Sequence, residues 1–228
     1  MNRDNFDWGC LAEGDGGHKG VITGETFDDD MYERFFQVEK GDIVLDIGAS
    51  VGPFTYSILD KKPKHVFCVE PSGLEFKTLV KNTTGYPVTH ILKGISDKNS
   101  YVQTDQLFGG EFRMEGITFM RLCELYGLDK IDFLKTDCEG GEYDIFNLGN
   151  YDFIKNNIRK IVGEWHLSDP YHPDVELSKK FRIFRDTFLV KFPNYEVFSI
   201  DGVNIKWDLW NEHFIDYYSE VIIYIDNR

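Results

Sequence analysis

A short apolar run that leads into a glycine-containing loop constrains this chain more than any other feature. Residues 43–45 are Ile, Val and Leu, and the loop that follows runs from Asp46 to Gly52 and contains Gly48 and Ala49. This order is typical of a buried strand, a tight turn and a helix, because glycine lets backbone approach a ligand without an intervening Cβ. The loop therefore predicts a nucleotide-type pocket at the carboxyl edge of a parallel sheet.

The composition of this loop indicates which ligand it binds. Dinucleotide-binding dehydrogenases use three glycines spaced G-x-G-x-x-G, whereas this loop has two glycines and an acid, Asp46, at the end of its strand. A carboxylate there would repel a pyrophosphate, so S-adenosylmethionine, a cation with an amino-acid tail, fits better than NAD. An NAD-type oxidoreductase on the same sheet and a catalytically silent cofactor-binding module stay open as alternatives.

A second acid follows the next apolar run. Residues 65–69 predict a buried strand, Glu70 ends it, and Ser72 with Glu75 forms a capping-box pattern for a helix. In nucleotide-binding sheets a carboxylate about 20 residues after the first glycine accepts hydrogen bonds from ribose hydroxyls. Glu70 lies 22 residues after Gly48 and is expected to bind the cofactor's ribose, the alternative being a surface acid at a strand end.

Together with a third segment at residues 135–142, these motifs resemble the FkbM family of S-adenosylmethionine-dependent methyltransferases. The family's D-x-G-A-x-x-G, V-E-P and K-x-D-x-E-G-x-E motifs are matched at residues 46–52, 69–71 and 135–142. Cys138 and Gly141 differ from the usual residues, but neither change removes a charge. The resemblance implies methyl transfer, usually to a hydroxyl. It also implies an α/β, Rossmann-like class I methyltransferase fold, with a mostly parallel seven-stranded sheet, helices on both faces and an antiparallel last strand.

The resemblance extends the predicted cofactor site over several strand ends. Ser96 and Asp97 follow a strand predicted at residues 88–92 and would approach the adenine, the alternative being a turn pair. The full set of predicted cofactor residues is Asp46, Gly48, Ala49, Gly52, Glu70, Pro71, Ser96, Asp97 and Asp137.

Charged residues are concentrated in the third motif. The strand predicted at 131–136 should lie beside the first strand, at the point of the sheet where ligands bind. It leads into Lys135, Asp137, Glu139 and Glu142. Unpaired charges are costly inside a core, so a reactive or metal-binding cluster explains their density. The structural alternative is that Lys135 bridges Asp137 or Glu139 and only fixes the loop.

A fifth predicted strand, residues 160–166, ends in Glu164 and His166 on the same edge. Methyl transfer to an alcohol requires removal of the hydroxyl proton, for which a neutral imidazole or a carboxylate is suited. The predicted catalytic residues are His166, Asp137, Lys135 and Glu139. A divalent ion such as Mg²⁺, held by Asp137, Glu164 and His166, is permitted but not demanded, and His166 could equally be satisfied by backbone.

Composition and charge limit the number of domains and the kinds of partner that this chain is expected to have. The 228 residues, 42% of them hydrophobic, suffice for one substantial core. A net charge of −14 argues against a nucleic-acid partner, because sequence-independent affinity for nucleic acid comes from Lys and Arg. No apolar run approaches the length of a bilayer span, so no membrane partner and a cytoplasmic location are expected.

The two ends of the chain carry the remaining features. Residues 41–228 are expected to form the cofactor-binding domain, and residues 1–40 an appended segment or lid with a helix beginning near 28–30. The apolar face at residues 31–36 would cover the sheet edge or the cofactor mouth, the alternative for each aromatic being simple core packing. An aromatic insert at residues 201–220 is compatible with a wall of an acceptor pocket, a lid or a homodimer contact. The expected partner is a small-molecule acceptor with a hydroxyl, such as a carbohydrate, a polyketide or a lipid-like molecule.

Overall fold

The computed structural model describes residues 5–12, 18–99, 101–105, 111–168, 177–211 and 213–228. In chain order its strands are β1 Ile43–Ile47, β2 His65–Val69, β3 Val88–Ile91, β4 Gly94–Ile95, β5 Tyr101–Asp105, β6 Glu111–Ile117, β7 Ile131–Thr136, β8 Ile158–His166, β9 Tyr195–Phe198 and β10 Glu220–Asp226. Its α-helices are α1 His18–Thr23, α2 Pro53–Ile58, α3 Gly73–Thr83, α4 Phe119–Tyr126, α5 Glu142–Ile145, α6 Tyr151–Asn157, α7 Leu177–Thr187 and α8 Phe214–Tyr217.

Seven of the described strands form one sheet in the order β3-β2-β1-β7-β8-β10-β9. Within this sheet β3, β2, β1, β7 and β8 pair in parallel with their neighbours. Strand β10 runs antiparallel to both β8 and β9. This confirms the predicted class I methyltransferase fold, with β7 beside β1. The carboxyl ends of the parallel strands therefore meet at one edge, which is where ligands bind in sheets of this kind.

Apolar side chains fill both faces of this sheet, because successive residues of a strand point to opposite sides. Along β1, Val44 packs in one cluster with Phe54 of α2 and Leu79 of α3. The next residue, Leu45, belongs to the opposite cluster, which includes Phe181 of α7 and further residues of α4 and α6. Since both faces are covered by helices, β1 is a central strand, buried from Val44 to Ile47, that holds the glycine loop in place.

A small second sheet precedes α4. Its order is β4-β6-β5, with β5 antiparallel and β4 parallel to β6. Short alternating pieces such as residues 101–103 predict a small β excursion in this part of the chain, and the structure has one. None of the helices in the described ranges is long and apolar enough to cross a membrane.

The N-terminal segment differs from the prediction of a helix beginning near residues 28–30. Helix α1 instead continues into a π-helical turn, Gly24–Asp28, that ends there, and a 3-10 turn, Met31–Glu33, follows. Asp30 separates the two turns with φ at 48°, a left-handed conformation that a short polar side chain tolerates and that no helix continues through. The acids thus end a helix rather than start one.

Candidate cofactor and active site

The loop between β1 and α2 passes directly against the loop that follows β7. Gly48 has φ at 74°, and a Cβ built on it would lie 1.6 Å from the carbonyl oxygen of Asp137. The amide of Asp137 in turn donates to the carbonyl of Ile47 at 3.0 Å. Only glycine permits this approach at position 48, so the first and third sequence motifs form one backbone unit.

Other predicted cofactor residues shape the same loop. Ala49 donates its amide to the carbonyl of Val69 at 3.1 Å, which ties the loop to β2. Gly52 has φ at 91°, and a Cβ there would lie 2.8 Å from a methyl of Leu79. Pro71 is half-buried directly after the end of β2. These residues fix the path of the loop relative to β2 and α3.

Glu70 joins the glycine loop to the start of α3. Its carboxylate accepts the amide of Ser50 at 2.8 Å and the amide of Ser72 at 2.6 Å. Burial, reinforced by the neighbouring Glu75 carboxylate, raises the pKa of Glu70 to about 8. Glu70 thus lies at the strand end where it was expected, with each oxygen engaged by backbone, and its binding of ribose stays a prediction.

Asp46 lies beneath the loop, fully buried. One carboxylate oxygen accepts the hydroxyl of Thr55 at 2.8 Å, and the other lies 3.4 Å from the ammonium of Lys135. Burial raises the pKa of Asp46, against the opposing effect of the Lys135 charge. The Asp46 carboxylate faces the buried Lys135 ammonium, so Asp46 acts on a bound ligand only by way of the Lys135 charge.

Lys135 connects the acids of the first and third motifs. Its ammonium donates to the carbonyl of Gly48 at 2.7 Å and lies 3.4 Å from Asp46 and 3.8 Å from Asp137. Burial alone would lower the pKa of Lys135, but Asp46 and Asp137 raise it above its ordinary value. Lys135 is therefore a fixed cation under the glycine loop, with the bridge to Asp137 that the sequence allowed.

Tyr32 is a site residue that the sequence analysis missed. Its hydroxyl donates to a carboxylate oxygen of Asp137 at 2.9 Å, and its ring centre lies 4.9 Å from the Lys135 ammonium. Burial, with repulsion from Asp137, raises the pKa of Tyr32 well above its usual range, so the hydroxyl stays a donor. The apolar spacing of residues 31–36 was its only signal, and that spacing does not distinguish a core tyrosine from a site tyrosine.

A cavity of about 40 Å³ opens where these elements meet. Its polar wall is made by Glu25, Tyr32, Gly48, Ser50, Lys135 and Asp137. Glu25 follows α1 and was not predicted either. Burial, followed by repulsion from Asp137 and Glu220, raises the pKa of Glu25 to about 7. The N-terminal segment therefore forms one side of this cavity.

At the end of β8, carboxylates surround the predicted catalytic histidine. His166 Nε2 lies 3.2 Å from Glu139 and 3.5 Å from Glu164, and Nδ1 lies 3.8 Å from Glu142. Burial alone would lower the pKa of His166, but these carboxylates raise it to about 11. These carboxylates therefore favour the imidazolium form of His166. This differs from the neutral imidazole expected from the sequence, because three acids converge on one buried ring.

The predicted metal ligands Asp137, Glu164 and His166 are divided between two groups of possible ligands that share His166. Ligand atoms of Asp137, Glu139 and His166 lie within 4.8 Å of one another, and so do those of Glu164, His166 and Glu220. Glu220 was missed because it becomes a neighbour only through its antiparallel register opposite His166. Carboxylates with one imidazole suit Mg²⁺ or Mn²⁺, provided that His166 loses its second proton.

Ser96 and Asp97 line a separate cavity of about 200 Å³, together with Phe119 and Asp144. The Ser96 hydroxyl donates to the carbonyl of Lys98 at 2.5 Å, so the pair does form a local turn. Ser96 and Asp97 can form this turn and line the cavity at the same time. Contact with adenine stays a prediction.

Comparison with known proteins identifies one family. A family model described as the methyltransferase FkbM domain matches residues 46–183. The matched range begins at the acid of the first motif and includes both later motifs, while Glu25, Tyr32 and Glu220 lie outside it. No curated protein matches the chain.

Solved structures with a similar fold are distant in sequence. Fibrillarin from Aeropyrum pernix, with natively bound S-adenosyl-L-methionine, is 14% identical with a TM-score of 0.51, over 90% of this chain and 75% of that chain. A putative rRNA-methylase from Clostridium thermocellum is 12% identical with a TM-score of 0.52, over 90% and 96%. The fibrillarin/Nop5p complex is 13% identical with a TM-score of 0.51, over 86% and 78%. These similarities concern the fold.

The comparisons overturn one expectation about partners. The net charge was taken to exclude a nucleic-acid partner, yet structures of this fold include a putative rRNA-methylase and fibrillarin in complex with Nop5p. Net charge sums over the whole chain, whereas binding depends on the local distribution of charge over one surface. A charge of −14 therefore does not exclude a nucleic-acid or protein partner.

Proposed function

Because the chain belongs to the FkbM methyltransferase family, we propose that it is an S-adenosylmethionine-dependent O-methyltransferase that acts on a hydroxyl of a small molecule. The observation that carries the proposal is the convergence of Asp137, Glu139 and His166 within 4.8 Å, on strand ends adjoining the glycine loop. Such a cluster can hold a hydroxyl and accept its proton beside a bound cofactor.

The residues around the loop fit S-adenosylmethionine. The cavity beside Gly48 carries two carboxylates, Glu25 and Asp137, which suit the positive charges of this cofactor. Glu70 lies at the end of β2, where carboxylates contact ribose in sheets of this kind. The cofactor supplies a methyl group on a sulfonium sulfur, an electrophile that needs no metal to be reactive.

Asp137 and Glu139 have distinct roles in the proposal. Asp137 is held by the Tyr32 hydroxyl and lies 3.8 Å from the Lys135 ammonium, so its orientation is fixed before an acceptor arrives. Glu139 has a side chain that is 71% exposed and lies 3.2 Å from His166. We assign Asp137 to orient the acceptor hydroxyl and Glu139 to take its proton. The His166 imidazolium stabilises the Glu139 carboxylate before the proton moves.

In this scheme, holding the cofactor and the acceptor in line contributes more to the rate acceleration than proton transfer does. Holding two reactants in line is worth roughly 7 to 11 kcal/mol, whereas a positioned acid or base contributes about 10²- to 10⁴-fold. A divalent ion is a second way to activate the acceptor hydroxyl. It would be held by His166 with Asp137 and Glu139, or with Glu164 and Glu220, and would acidify the acceptor hydroxyl directly.

The test is transfer of a radiolabelled methyl group from S-adenosylmethionine to a panel of hydroxyl-bearing sugars, polyketides and lipids, with total RNA as a parallel substrate. The expected product is a methyl ether on a small molecule, identified by mass spectrometry. Methylation of nitrogen, or of RNA alone, contradicts the proposed acceptor. Binding of NADH in place of S-adenosylmethionine in a calorimetric titration contradicts the cofactor as well. Loss of turnover after chelation, restored by Mg²⁺, selects the metal route.

A further inference from the structure

We propose that Glu25, in the segment that precedes the family domain, binds the α-ammonium group of S-adenosylmethionine. The inference rests on the proposed function and extends it to a residue outside the matched range of 46–183. A chain truncated to the family domain would then lack part of its own cofactor site.

The size of the cavity at Glu25 suits the α-ammonium end of an amino acid. Its volume of about 40 Å³ leaves room for a few heavy atoms and not for a nucleoside. The glycine loop lines it with Gly48 and Ser50, and the N-terminal segment lines it with Glu25 and Tyr32. The cavity is therefore bounded by the loop that marks the cofactor site and by the N-terminal segment together.

The charges around the cavity favour a cation within it. Glu25 and Asp137 line it, and Asp46 lies directly beneath the loop. Among the described residues that line it, Lys135 is the only basic one, and its ammonium is already shared by the Gly48 carbonyl, Asp46 and Asp137. Carboxylates thus outnumber cations, and an ammonium group restores the balance.

The segment that carries Glu25 is fastened to the rest of the fold. The Tyr32 hydroxyl donates to Asp137, and the Met31 carbonyl accepts the hydroxyl of Tyr224 on β10. Lys61 donates to Glu33 at 2.6 Å. These contacts hold the segment against the sheet edge, so Glu25 reaches the cavity from a fixed position.

Stable product analogues provide the test. Calorimetry would measure the affinity of the wild-type chain for S-adenosylhomocysteine and for its deaminated analogue, in which a hydrogen replaces the α-amino group. A charge-assisted hydrogen bond predicts that the deaminated analogue binds about 10- to 100-fold more weakly. Glu25→Gln should weaken binding of S-adenosylhomocysteine by a similar factor and leave binding of the deaminated analogue unchanged.

Asp29→Asn is the matched control, because Asp29 is an exposed acid of the same segment. It should leave both affinities unchanged. Equal wild-type affinity for the two ligands overturns the inference about Glu25 and leaves the cofactor assignment standing. An equal loss for both ligands in Glu25→Gln also overturns it, since it points to packing of the segment. Binding of neither ligand by the wild-type chain removes the proposed function itself.

Discussion

The hydroxyl of Tyr32 donates to the carboxylate of Asp137 across 105 positions of sequence, at 2.9 Å. This bond connects a segment outside the family domain to the acid at the centre of the proposed active site. It also limits the orientations open to Asp137, because the same carboxylate oxygen lies 3.8 Å from the Lys135 ammonium. The geometry of the site therefore depends on the N-terminal segment as well as on the family domain.

Tyr32→Phe removes this hydrogen bond while keeping the ring that packs on Lys135. A hydrogen bond to a charged group contributes about 1.5 to 3 kcal/mol, so we expect a lower free energy of unfolding by roughly that amount and a reduced kcat. Urea denaturation and single-turnover kinetics measure the two effects. Tyr217→Phe, at a side chain that is 76% exposed, is the control and should leave stability unchanged. An unchanged kcat in Tyr32→Phe would show that Asp137 needs no such support.

Gly48→Ala should disrupt the contact between the two loops. A Cβ at this position would lie 1.6 Å from a backbone oxygen, and the φ of 74° is itself unfavourable for alanine. We expect a loss of more than about 2 kcal/mol of stability and no measurable binding of S-adenosylmethionine. Thermal unfolding with and without cofactor measures both.

Gly73→Ala is the matched control for that variant. Gly73 begins α3, and a Cβ there meets nothing within 4 Å. Because alanine is the better helix former, stability should stay the same or rise slightly. If the two variants behave alike, the close approach at Gly48 is not what the loop requires.

Local patterns predicted the framework of the fold well. Strands β2 and β7 begin and end at the predicted residues, since each contains buried apolar residues and is flanked by a lysine and an acid. The capping pattern at α3 was right in only one of its two bonds. Ser72 accepts the amide of Glu75 at 3.4 Å, but the Glu75 carboxylate accepts the hydroxyl of Ser50. The amide of Ser72 is taken by Glu70 instead.

The site itself was predictable only where its residues are close in sequence. Asp137 and Glu139 belong to one motif and were identified together. Tyr32, Glu25 and Glu220 reach the same edge through packing and strand register, which no local pattern encodes. The charge state of His166 was missed for a related reason, because it depends on how closely Glu139, Glu142 and Glu164 approach one buried ring.

Glu70 predicts a specific dependence of stability on pH. Its pKa is raised from the ordinary 4.5 to about 8 in the folded chain, so between these values the native state holds a proton that the unfolded state releases. Stability contributed by this group is therefore present below the lower value and is lost as pH rises towards the upper one. Urea denaturation across this window should show the loss.

Glu70→Gln isolates the contribution of that carboxyl group. The amide oxygen of glutamine can still accept one of the two backbone N–H groups. The amide nitrogen is itself a donor and leaves the other N–H without an acceptor, so the variant is less stable by about 1 kcal/mol. It does not titrate, and the decline in stability between the two pKa values should be shallower than in the wild type. Parallel curves for the two chains would mean that Glu70 stays ionised throughout.

His166→Gln tests the imidazolium. Since the pKa of His166 is raised to about 11, its charge stabilises the fold fully below the ordinary value of 6.5, and this stabilisation is lost as pH rises from there towards 11. Removing the charge leaves Glu139, Glu142 and Glu164 without their shared cation, so the variant should be less stable at neutral pH.

In the proposed scheme His166 acts on the Glu139 carboxylate and not on the cofactor. The variant should therefore lower kcat by about 10²- to 10⁴-fold while the Kd for S-adenosylmethionine stays within a factor of two or so. Calorimetry and single-turnover kinetics separate the two quantities. A Kd that rises in step with the fall in kcat would move His166 from the acceptor side of the site to the cofactor side, because only a residue that supports cofactor binding changes both together.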